Sequence, residues 1–304
     1  MRPTGMSDSP SISPSSALML LALAAVWGGS FFFAEIALTE VPPLTITLHR
    51  VVWAVPILLV VVRMLGLQVP RESRTWGAYL VMGALNNALP FSLIFWAQVA
   101  IQSGLASILN GTTAVFGAVV AGLLLRDEPL VPRKIVGALL GLAGVAAIMG
   151  PDLLRGVDLR NLAQLAVLGA ALSYALASVW AKRALAGQAP QMNALGMLIG
   201  SSLLMLPVAL WVDGVPRFDL SMHVWAALVS LAALSTALAY LLYFAILRRA
   251  GAANLMLVTL MIPPFAAGLG AAFLGERLSA EAWIGFGLIA LGLLVTDGRV
   301  LRRG

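Results

Sequence analysis

The sequence predicts an all-α polytopic membrane protein in which ten transmembrane helices form two inverted repeats of five. Three observations carry that prediction. Hydrophobic residues make up 61% of the 304 positions and charged residues only 11%. A soluble domain is roughly one quarter charged, so lipid must be the solvent for most of this chain. Apolar runs of about twenty residues, one bilayer crossing each, recur ten times with short connections. Finally, Glu128, Leu130, Gly137 and Gly144 return 148 residues later as Glu276, Leu278, Gly285 and Gly292, a repeat half the length of the chain.

Taken in order, residues 1–16 are rich in Ser and Pro, lack apolar residues at helical spacing and read as a disordered tail. Ala17 to Trp27 has the length of a signal-peptide core, but nine more apolar segments follow, which makes it the start of an uncleaved first span over 17–38. Spans at 44–65, 76–97, 105–125 and 133–150 complete a first repeat over 17–150. Spans at 162–184, 192–212, 223–247, 252–274 and 280–297 form a second over 162–297, and 298–304 is a C-terminal tail. Only the uncharged stretch Gln98 to Gly104 separates spans three and four. No connection is long enough for a separate domain, so the function must reside in the helical bundle.

Charge orients the spans. With the N-terminus inside, fourteen Lys and Arg residues fall on inner loops and tails, among them Arg71, Arg74, Arg126, Arg133, Lys134, Lys182, Arg183, Arg248 and Arg249. Only Arg155, Arg160, Arg217 and Arg277 fall outside. That bias places both termini in the cytoplasm and the chain in the cytoplasmic (inner) membrane. It also accounts for the isoelectric point near 10.5 without nucleic acid, which would require basic residues on one face. An odd number of spans, five, separates the two Glu–Gly patterns, so the halves lie upside down relative to each other. Pro43 with Pro190, and Phe95-Trp96-Ala97 with Tyr243-Phe244-Ala245, extend the correspondence.

On these residues the chain resembles the EamA-type carriers of the drug/metabolite transporter superfamily. The resemblance is carried by Trp27-Gly28-Gly29-Ser30-Phe31, by Pro42-Pro43-Leu44 leading to Arg50, and by Gly122 to Glu128 with Gly137 and Gly144. In the second half it is carried by Thr236 to Phe244, by Arg248-Arg249, and by Glu276 with Gly285 and Gly292. It covers the whole chain except the tails. It implies ten spans in two inverted repeats and alternating-access transport of small solutes, often outward; it does not imply which solute.

Ionisable side chains inside a span are costly and are functional candidates by default. Glu35 near the outer end of span one, and His49 and Arg50 near the outer start of span two, fall at similar depth, roughly 6–8 Å below the boundary at about 1.5 Å per residue. A Glu35–Arg50 pair is therefore geometrically open; its functional reading is an outer gate or substrate-charge clamp, with Glu35 or His49 taking up a proton in the cycle, and the resemblance supports Arg50 best. The plainer reading is that each snorkels to the interface or that the pair only ties spans one and two together. Deeper polar residues are candidates for the substrate path: Asn86 and Asn87 before Pro90, Asn110, Thr112 and Thr113, and in the second half Thr236, Tyr240, Tyr243 and Thr259. A helix interrupted by proline exposes carbonyls that a polar solute can satisfy. Trp27, Phe31, Phe95, Trp96, Tyr174 and Trp180 are candidate apolar walls, whereas Trp76, Trp211, Trp225 and Trp283 fit interface anchors. Gly137-xxx-Gly141 and Gly196-xxx-Gly200 fit close helix packing. Glu128 and Glu276 each precede a span, where a carboxylate caps the helix.

The function read from this pattern is a secondary transporter of a small organic solute such as an amino acid, a related metabolite or a drug-like compound. Proton coupling and exchange are both open, as is a monomeric or homodimeric state. The alternatives are a channel, for which no filter-like loop is visible, and a membrane-embedded enzyme. With no cysteine and only His49 and His223 as histidines, no catalytic set, metal site or cofactor is expected.

Overall fold

A computed structural model of the protein describes residues 13–125, 130–149, 159–255 and 258–297. Residues 1–12, the segment 126–129 with Glu128, the segment 150–158 with Arg155, and the tail 298–304 lie outside the described residues. All described elements are helical: α1 (Pro14–Ala37), α2 (Pro43–Met64), α3 (Ser73–Gly83), α4 (Leu89–Gln98), α5 (Ser103–Asn110), α6 (Thr113–Leu124) and α7 (Pro132–Met149), followed by α8 (Leu159–Ala184), α9 (Pro190–Val212), α10 (Met222–Ala232), α11 (Ala239–Leu255), α12 (Val258–Phe273) and α13 (Ala280–Asp297). Two π-turns, Ala84–Ala88 and Ala233–Leu238, join α3 to α4 and α10 to α11.

Helix starts follow simple chemistry. Pro43 and Pro190 occupy first-turn positions, where the missing N–H costs nothing and the fixed φ favours entry. At the N-terminus of α1 the Ser13 hydroxyl accepts from the Ser16 N–H at 3.2 Å. Seven helical segments are long and apolar enough to cross a membrane: Pro14–Ala37, Pro43–Met64, Ser73–Gln98, Ser103–Leu124, Arg160–Ala184, Pro190–Val212 and Met222–Arg249. Large apolar side chains such as Met64, Leu203 and Trp211 point outward from them, an arrangement suited to hydrocarbon. The chain is a membrane protein of several apolar helices. One boundary differs from expectation. The turn expected between 247 and 252 is helix, because α11 runs on to Leu255. Arg248-Arg249 and a single glycine do not suffice to end a helix whose neighbours hold it.

The repeated glycines pack against each other. A Cβ on Gly137 would meet the Gly292 carbonyl at 2.5 Å and one on Gly292 the Gly137 carbonyl at 2.5 Å; one on Gly144 would meet the Gly285 carbonyl at 2.7 Å and one on Gly285 the Gly144 carbonyl at 2.6 Å. α7 and α13 therefore run antiparallel in backbone contact. The pairing is crossed: the first glycine of one copy meets the second of the other, the contact pattern a local two-fold axis generates. The α3–α9 crossing is equally close: a Cβ on Gly83 would meet the Met197 carbonyl at 2.5 Å, and one on Gly196 would meet the Tyr79 ring.

At one end of the bundle, three carboxylates cap helices across the two halves. Glu40, after α1, accepts from the Ser221 N–H at the start of α10 at 2.9 Å. Asp213, at the end of α9, accepts from the Thr45 N–H at 2.7 Å and the Thr45 hydroxyl at 3.0 Å, capping α2. Glu276 accepts from the Ser103 N–H at 2.8 Å, the Ser103 hydroxyl at 2.9 Å and the Gly104 N–H at 3.2 Å. Glu276 thus caps α5 rather than α13, the helix it precedes, because the loop Leu274–Ser279 folds over the α5 N-terminus, where four N–H groups lack intrahelical partners.

The bonds from Ser221 hold the Glu40 carboxyl below the ordinary carboxylate range. A depressed carboxyl stabilises the fold above its unfolded value of about 4.3 and loses that contribution as pH falls through the folded value. Glu40→Gln is therefore expected to lower stability somewhat at neutral pH and to flatten the acid limb of a stability-versus-pH curve below about pH 5, so that the variant and wild-type curves converge in acid. Superimposable wild-type and variant acid limbs would refute the assignment.

Candidate functional site

The two π-turns place buried polar groups, Asn87, Ser235 and Thr236, inside the bundle. Pro90 has no N–H, so the helix cannot close a normal bond to the Asn86 carbonyl, and the preceding turn widens. The second π-turn overlaps the repeat-equivalent position without a proline; there the Thr236 hydroxyl, on the turn itself, donates to the Leu231 carbonyl at 2.9 Å. Each turn is held by the opposite half. Tyr240 of α11 donates to Asn87 Oδ1 at 3.0 Å and accepts from Asn86 Nδ2 at 3.2 Å, Asn87 Nδ2 donates to the Ser201 hydroxyl at 3.3 Å, and the Ser173 hydroxyl donates to the Leu85 carbonyl at 2.7 Å. Reciprocally, the Ser235 hydroxyl donates to the Val26 carbonyl at 3.0 Å.

Arg50, on α2, bonds to the second turn. Its Nε donates to Thr236 Oγ1 at 2.9 Å, Nη1 to Ser30 Oγ at 2.9 Å and Nη2 to the Ser235 carbonyl at 3.2 Å. Its guanidinium carbon lies 3.8 Å from the centre of the Phe91 ring and 5.8 Å from that of Phe95. The side chain is buried, and the ionisable groups acting on it among the described residues are the hydroxyls of Tyr174 and Tyr240.

The Glu35–Arg50 pair that the sequence leaves open does not form. Glu35 Oε2 accepts from Gln98 Nε2 at 3.1 Å, and the same amide donates to the Phe31 carbonyl at 2.9 Å. The reason is depth. Arg50 lies seven residues into α2, roughly 10 Å from its end, level with Ser30, seven residues from the end of α1. Glu35 lies two residues from that end, roughly 3 Å. His49 faces another way: its Nδ1 accepts from Trp53 Nε1 at 2.9 Å and its ring meets Trp225 and Phe218 edge-on.

Of the other candidates, Asn86 and Asn87 meet at the Tyr240 hydroxyl, and the hydroxyls of Tyr240 and Tyr174 are those that act on Arg50. Trp27 is half-buried against Tyr243, with ring centres 6.1 Å apart, and Phe31 is buried one residue beyond Ser30. Asn110 and Thr112 flank a break between α5 and α6, where the Thr112 hydroxyl donates to the Leu109 carbonyl at 2.7 Å. Asn110 Oδ1 is buried with no partner among the described residues. Thr259 lies in the first turn of α12, at a helix end rather than at depth. Sequence reasoning passed over Ser30, Ser235, Gln98 and Ser201. Ser235 was within reach, since it is the repeat equivalent of Asn87.

Comparison with known proteins bears on this geometry. The EamA-like transporter family matches residues 14–150 and again 161–296. The uncharacterized transporter YoaV of Bacillus subtilis is 24% identical over 94% of this chain and 98% of its own length. A probable amino-acid metabolite efflux pump of Escherichia coli is 24% identical over 93% of this chain and 95% of its own. A protein crystal structure 19% identical in sequence superposes with a TM-score of 0.68 over 97% of this chain and all of that one, a likeness of fold.

Proposed function

Because the chain belongs to the EamA-like transporter family, in two matched repeats, we propose that it is a secondary carrier moving a small organic solute out of the cell by alternating access. In this reading α3 with α4, α5 with α6, and α10 with α11 each make one crossing. Ten crossings then form two inverted repeats, with both termini cytoplasmic in the inner membrane. The crossed glycine contacts of α7 and α13 support it: a two-fold axis perpendicular to antiparallel spanning helices lies in the membrane plane and inverts one half relative to the other.

The observation that carries the proposal is the pair of π-turns, one per half, each held by groups of the other half. A carrier needs a polar centre between two bodies that can exchange positions, and a widened turn supplies both freed carbonyls and a point of bending. Asn86, Asn87, Tyr240 and Arg50 line that centre, with Trp27, Phe31 and Tyr174 as neighbouring walls. An amino acid or related metabolite suits a centre that offers amide, hydroxyl and guanidinium groups, and the E. coli relative carries such a name. Proton coupling would fall to Glu35, in contact with Gln98; exchange would need no titrating group.

The test is solute counterflow in proteoliposomes. Saturable counterflow of an amino acid or metabolite is expected, and unitary currents with no counterflow of any solute would replace the carrier with a channel. Tyr240→Phe, which removes one donated and one accepted bond, is expected to slow counterflow about tenfold and to cost about 1–3 kcal/mol of stability. Unchanged counterflow would take Tyr240 out of the path.

A further inference from the structure

We propose that the solute presents a carboxylate and that Arg50 takes it, releasing the guanidinium's bonds to the second-half π-turn as it does so. This rests on the carrier reading above. Arg50 is a desolvated cation whose three hydrogen-bonded partners, Thr236 Oγ1, Ser30 Oγ and the Ser235 carbonyl, are all uncharged. Among the described residues no carboxylate pairs with it: Glu35 is engaged by Gln98, and Tyr174 and Tyr240 supply only neutral hydroxyls. A buried guanidinium held by neutral dipoles and the Phe91 face is poorly compensated, and a carboxylate is the planar acceptor its fork matches with two parallel bonds.

The position gives binding a mechanical consequence. Arg50 stands on α2 in the first half, while Ser235 and Thr236 stand on the π-turn of the second. A carboxylate accepting from the guanidinium competes with Thr236 Oγ1 and the Ser235 carbonyl for the same N–H groups. The solute therefore loosens the contact that holds the halves together at this level and brings its own charge to replace it. Asn86 and Tyr240, in the same centre, are placed to receive the remainder of the solute.

The experiment compares L-amino acids with their primary amides, which keep the side chain and ammonium and lose the anion. Binding is read by thermal shift of the purified protein, and counterflow is measured separately. Acids are expected to bind wild type at least tenfold more tightly than their amides. Arg50→Gln should weaken acid binding roughly tenfold to hundredfold and amide binding far less, so that the preference for acid over amide is lost. Arg50→Lys, which keeps the charge without the fork, should fall between; it serves if the glutamine variant does not give a monodisperse peak. Amides that bind as well as acids, or an acid preference that survives Arg50→Gln, would overturn the assignment, as would a panel in which no carboxylate binds. Acid binding without any counterflow would remove the carrier reading and leave the clamp standing. Counterflow of a solute lacking an anionic group would keep the carrier and remove the clamp.

Discussion

Gly285→Leu is expected to prevent accumulation of folded protein, or to lower its thermal midpoint by about ten degrees or more in detergent. Gly285 sits where α13 crosses α7, and a Cβ there would meet the Ile148 side chain and stand 2.6 Å from the Gly144 carbonyl. The carbonyl belongs to the helix backbone and cannot rotate away, so the two helices must separate along their length. Overpacking typically costs about 1–3 kcal/mol where side chains can adjust; here the cost should reach or exceed about 3 kcal/mol, since Gly137 and Gly292 are in the same contact one turn pair away. Gly287→Ala on the same helix is the control, because nothing lies within 4 Å of its Cβ position. That variant should match wild type or gain about 0.5–1 kcal/mol from lost chain entropy. Equal midpoints for Gly285→Leu and wild type would show that α7 and α13 do not pack in this way.

The same crossing marks how far the sequence can be read. Span positions were legible because hydrophobic length and first-turn prolines act locally: Pro43 and Pro190 start helices one or two residues from where apolar runs suggest. The glycine repeat was legible as a repeat and as packing. That its two copies meet each other was not, because identical spacing says nothing of which helix lies opposite. The Glu35–Arg50 pairing failed for a related reason. Counting residues from an approximate span end gives depth only as well as the end is known, and the 3 Å and 10 Å depths differ by more than one turn. The π-turn at Asn86-Asn87 left a trace in Pro90; its counterpart at Ser235-Thr236 has no breaker and could be found only through the repeat. Arg50 was singled out because a lone charge in an apolar run is costly wherever it lies, an inference that needs no partner to be known.

The double variant Asp213→Ala with Glu276→Ala is expected to open the end of the bundle at which these carboxylates lie. Asp213 ties the second half to α2, and Glu276 ties it to α5. If the halves move against each other, these bonds exist in only one of the two conformations, and removing them raises its energy relative to the other. A lost cap costs about 0.5–2 kcal/mol, so two together should shift the equilibrium by about tenfold or more. The chain has no cysteine, which allows a single Ser107→Cys probe without background. Ser107 is buried on α5 one turn below Ser103 and Gly104, and cysteine nearly preserves its volume. Labelling of that thiol by a membrane-impermeant maleimide from outside is expected to rise about tenfold in the double variant over the probe alone. A labelling rate unchanged by loss of both carboxylates would mean that the caps stabilise each conformation equally and hold no gate. A rise seen only from the cytoplasmic side would place this end of the bundle inside and reverse the orientation drawn from the arginines.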